Sequence, residues 1–96
     1  MLTDQDLVEI ARTKSQAHLS AIAGRKRIGE PVTDVLIDRG NDEVVVTVAR
    51  NHGAEFSEQG QHAVAVRAQH NLQLAGALSR RVDLPRQMLL NLIEKA

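Results

Sequence analysis

Apolar side chains recur every three to four residues along the first quarter of the chain. Leu7, Val8, Ala11, Ser15, His18, Leu19 and Ile22 share one side of a helical wheel, with Glu9, Arg12, Gln16 and Ser20 opposite. This spacing predicts one amphipathic helix over 4–23. Thr3 stands at its N-cap with Asp6 three residues on, and Gly24 marks its stop. A second stripe, Val32, Val35 and Leu36, predicts a helix over 31–39, with Pro31 in its first turn and Gly40 at its end.

Asn41-Asp42 supplies a cap for a third helix over 42–50, but local propensity opposes it. Val44-Val45-Val46-Thr47-Val48 is β-branched throughout and prefers strand. With Val35-Leu36-Ile37 and the turn-like Asp38-Arg39-Gly40-Asn41, the same residues read equally as a β-hairpin. On a helix, Val44, Val45, Val48 and Ala49 share a face and Val46 falls outside it. Periodicity leaves both readings open.

Downstream, Ser57 opens a helix over 58–68 whose face (Gln61, Val64, Ala65, Ala68) is poor in large side chains. A shorter helix over 71–80 carries Leu74, Ala75 and Leu78. Asp83-Leu84-Pro85 starts a last helix over 84–95. There Leu84, Met88, Leu89, Leu92, Ile93 and Ala96 cover about half of the circumference, wider than one neighbouring helix covers. Two helix starts echo each other: Glu30-Pro31 before Val35-Leu36, and Leu84-Pro85 before Leu89-Leu90. Ser57 falls midway between them. Short helices in pairs, repeating roughly every 27–30 residues, predict a degenerate helical repeat.

Composition narrows the class. Ninety-six residues fit one domain over 1–96, and with a single aromatic, Phe56, its core is built from aliphatics. The absence of cysteine removes disulfides and thiolate metal sites and suits a cytoplasmic setting. No apolar run is long enough for a membrane span, and the N-terminus lacks a signal-peptide pattern. Net charge is zero but unevenly spread: residues 1–29 and 59–96 are basic, and residues 30–58 are acidic.

The residues Asp42 through Asn51 resemble leucine-rich-variant and HEAT-like repeats. The stretch from Glu30-Pro31-Val32 through Phe56-Ser57, with Leu7 to Arg25 and Leu78 to Pro85, is similar to a bacterial, chiefly alphaproteobacterial, family of the domain-of-unknown-function kind. Members of that family are usually longer than this chain. The resemblance implies an all-α fold in which about six helices form short antiparallel pairs stacked as an α-α superhelix of the HEAT or armadillo type. It turns the hairpin question towards helix. It implies no enzymatic activity, no catalytic residue and no cofactor.

The candidate chemistry is sparse. Glu58 and His62 stand at i, i+4, half of a metal site, and are read as a surface pair. His18 lies at the edge of an apolar face and is read as a core or boundary histidine. No metal site is assigned. Glu30, Asp34 and Asp38 line up as an acidic ridge suited to a basic partner surface, such as Arg25-Lys26-Arg27 of a second copy. Met88, Leu89, Leu92 and Ile93 are expected to pack partly against a partner chain. The expected function is therefore a non-catalytic protein–protein interaction module that self-associates. The alternative is nucleic-acid binding through Arg25, Lys26, Arg27, Arg80 and Arg81, which a balanced charge and the lack of interleaved aromatics disfavour.

Overall fold

A computed structural model describes residues 3–81 and Leu84. The described residues form six helices, α1 (Asp4–Thr13), α2 (Gln16–Ala23), α3 (Glu30–Arg39), α4 (Asp42–Arg50), α5 (Glu58–Ala68) and α6 (Leu72–Ser79). The helix expected over 84–95, with Met88, Leu89, Leu92 and Ile93, lies outside the described residues. Consecutive helices pair as antiparallel hairpins, and like members of successive hairpins pack side by side. α1, α3 and α5 form one layer, and α2, α4 and α6 form the other. The described residues contain no strand, only an isolated parallel bridge between Ile28 and Ala54.

The valine-rich segment is helical because packing outweighs propensity. Asn41 caps α4 by accepting the Val44 amide at 3.0 Å. α4 then packs against α2, α3 and α6, so Val44, Val45, Val46, Val48 and Ala49 are all buried. Val46, expected outside the face, is covered because α4 has neighbours on three sides. Thr33 is buried as well and bonds the Gly29 carbonyl, one turn back, at 3.1 Å.

The single helix expected over 4–23 is instead two. Thr3 and Asp6 form the reciprocal capping box of α1, which closes at Lys14. Ser15 then takes the N-cap position of α2, in extended backbone. Both halves keep the same apolar register, Leu7 and Ala11 in α1 and Leu19, Ile22 and Ala23 in α2. The helical wheel therefore does not reveal the break. His18 is exposed, its ring Nδ1 lying 3.1 Å from the Ser15 hydroxyl; it is not a core residue.

The hairpins are fastened by polar side chains that reach back to the preceding hairpin. Arg39, ending α3, donates to the Ala11 carbonyl near the end of α1 at 2.9 Å. Arg67, near the end of α5, donates to the Ile37 and Gly40 carbonyls at the end of α3, at 2.8 and 2.7 Å. In the other layer, Asn51 donates from the end of α4 to the Ala23 and Arg25 carbonyls at the end of α2, at 2.9 and 2.6 Å. Arg81, after α6, donates to the carbonyls of Ala49, Asn51 and Ala54 at 3.1, 2.7 and 2.7 Å. Its guanidinium lies 4.7 Å from the centroid of the Phe56 ring. The last carbonyls of a helix have no partner within it, and here the next hairpin supplies one. These contacts also set direction: helix C-termini of one layer gather along one edge.

Candidate partner-binding surface

The layers differ in chemistry. α1, α3 and α5 carry seven carboxylates against three arginines, whereas α2 and α6 carry no charged side chain. Arg39 and Arg67 are directed at helix ends, and Arg67 also pairs with Asp42 at 2.9 Å. The α1–α3–α5 layer is thus acidic.

The acidic ridge lies on α3 as the sequence predicts, and its members are not equivalent. Glu30 and Asp38 are exposed, while Asp34 is half-buried. Asp34 Oδ1 accepts the Ser57 hydroxyl at 2.7 Å, and the same hydroxyl oxygen accepts the Gly60 amide at 2.9 Å. Asp34 is therefore held at the N-terminal turn of α5, where the helix dipole favours a carboxylate. Gly60 permits this approach, since a Cβ there would sit 2.5 Å from Asp34 Oδ1.

Between α3 and α5 runs an open groove. Two adjoining depressions, of about 260 and about 330 Å³, are walled by Asp34 and Asp38 and floored on the α5 side by Ala63 and Val66. Arg12 of α1 borders one and Arg67 the other. Val66 is 46% exposed, one of two large apolar side chains so open among the described residues; the other is Leu72. Sequence reasoning missed the groove because Val66 falls on no stripe.

Of the predicted basic residues, Arg81 separates from the others. Arg25, Lys26, Arg27 and Arg80 are exposed. The Asn51 and Arg81 contacts bring the loop after α2 and the end of α6 to one edge, with exposed Arg50 between them. Arg81, by contrast, is 3% exposed, and its guanidinium is committed to carbonyls, so it does not face a ligand. No local pattern marks it, because the carbonyls it meets are 27 to 32 residues away. Glu58 and His62 are both exposed, and no group of three potential metal ligands occurs among the described residues. No described helix is long and apolar enough to cross a membrane.

Residues 1–96 match the bacterial family DUF2336, described as an uncharacterised protein conserved in bacteria. The chain belongs to DUF2336. No curated protein and no solved structure matches it. For this DUF2336 chain, the two-layer stack and the acidic groove are therefore the basis for a functional reading.

Proposed function

We propose that this DUF2336 chain is a non-catalytic, HEAT-like helical-repeat module for protein–protein interaction, acting in the cytoplasm and associating with copies of itself. One observation carries the reading: charge divides between the layers, and the acidic layer holds a groove with an exposed apolar floor. Stacked hairpins present extended surfaces, which is how such arrays engage partners. The Glu58 and His62 pair, where an acid–base or metal site would first be sought, is exposed on α5 and lines neither depression of the groove.

Site-specific photo-cross-linking in bacterial cells tests this. A cross-linker at Asp38 or Val66 is expected to give adducts of discrete mass, and one at Glu43, on α4, to give none. Failure of both groove positions to yield an adduct would sink the proposal.

A second reading, nucleic-acid binding, is favoured by the meeting of Arg25, Lys26, Arg27, Arg50 and Arg80 at one edge. Glu55, and the helix starts Asp4, Glu30 and Glu58, stand against it as exposed carboxylates. That reading requires an affinity that falls steeply with salt.

A further inference from the structure

We infer that the α3–α5 groove is the acceptor half of a contact between two copies of this chain, and that the donor half is the exposed loop Arg25-Lys26-Arg27. The inference rests on the interaction-module reading and gives it a specific partner and a polarity.

The acceptor is organised for a long cationic side chain. Asp34 and Asp38 stand one helical turn apart on the same wall. The Ser57 hydroxyl fixes one carboxylate, and the other is open to solvent. Val66 lies across the groove, 46% exposed. A lysine or arginine lays its methylenes on such a surface while its head group reaches a carboxylate. Of the two cations at the border, Arg67 already serves Asp42 and two carbonyls. Arg12, on α1, borders the adjoining depression, which Asp34 and Asp38 also wall, and forms an ion pair with neither carboxylate.

The donor is equally defined. Arg25, Lys26 and Arg27 are all exposed. The loop is pinned at both ends: the Arg25 carbonyl accepts from Asn51, and Ile28 bonds Gly53 and Glu55 through its amide and carbonyl. A held loop loses little conformational entropy on docking. The loop precedes α3, and Asp38 lies about 12 Å along the α3 axis from Glu30, at the far end of the groove from it.

Donor and acceptor are different patches, so the contact is heterologous and propagates from copy to copy. Being exposed and ionic, it weakens as salt screens it.

Sedimentation velocity on the full chain tests this with two variants, Asp38→Lys and the triple variant Arg25→Ser, Lys26→Ser, Arg27→Ser. All four positions are exposed, so both variants should keep the wild-type melting temperature. Wild type is expected to associate beyond a dimer in ~20 mM salt and to dissociate in ~500 mM. Each variant alone is expected to remain monomeric. Their equimolar mixture is expected to give one heterodimer and nothing larger, because one intact donor meets one intact acceptor. Val66→Ser is expected to weaken the contact several-fold.

Wild type that stays monomeric at low salt would overturn the inference. So would variants that assemble as wild type does, or a mixture that fails to recombine. Cross-links from Val66 to a different protein, together with a monomeric wild type, would overturn the second-copy assignment and with it the self-association, and leave standing a module that binds other proteins.

Discussion

The two layers are made of the same kind of helix and are used differently. α4, in the middle of one layer, is buried along nearly its whole surface. α3, in the middle of the other, also buries its inner residues but keeps Glu30 and Asp38 in water and Asp34 half so. Each central helix has a neighbour on either side and one behind. The difference lies in sequence: α4 carries its charges at its ends, and α3 carries carboxylates every fourth residue along its length. One layer is thus committed to holding the fold, and the other leaves a face available for contact.

The largest break in this contrast comes from a charge in the α4 layer. Val45→Asp places a carboxylate at a position with no exposure and is expected to cost more than about 4 kcal/mol. Circular dichroism should show the loss of cooperative unfolding. Next comes Arg81→Ala, which removes the guanidinium from the Ala49, Asn51 and Ala54 carbonyls, of which Asn51 keeps the Ala54 amide, and leaves Phe56 without its cation. The expected loss is about 2–4 kcal/mol by urea denaturation.

Two glycines sharpen the comparison with opposite signs. A Cβ at Gly53 would press into the Lys26 carbonyl where two linkers meet, so Gly53→Ala is expected to cost about 1–3 kcal/mol. Gly76 stands inside α6 with open space at its Cβ, so Gly76→Ala is expected to stabilise by about 0.5–1 kcal/mol. Both are read from thermal melts. The smallest effect belongs to the acidic layer, where Asp38→Ala should change stability by less than about 0.5 kcal/mol. A large loss there would mean that the ridge serves the fold.

Much of the fold was legible in the sequence, because local signals agreed with the final packing. Asn41 and Ser57 capped the helices they were expected to cap, and Gly40 ended the helix it was expected to end. The break after Thr13 was not legible, since Ser15 reads as a small buried residue on a continuous wheel yet is exposed at the N-cap position of α2. Nor was the burial of Val46, which depends on how many helices surround α4. The acidic ridge was visible as a spacing, but its link to Ser57 joins residues on different helices. The arginine contacts join residues 27 to 32 positions apart, too far for any local pattern.

Those reaching side chains give the molecule a direction in time as well as in space. As the chain is made, α1 emerges before Arg39, the donor to its Ala11 carbonyl. α3 in turn waits for Arg67, and α4 waits for Arg81. Each hairpin on a translating ribosome is therefore finished by its successor, and a nascent chain always carries one incomplete unit at its growing end.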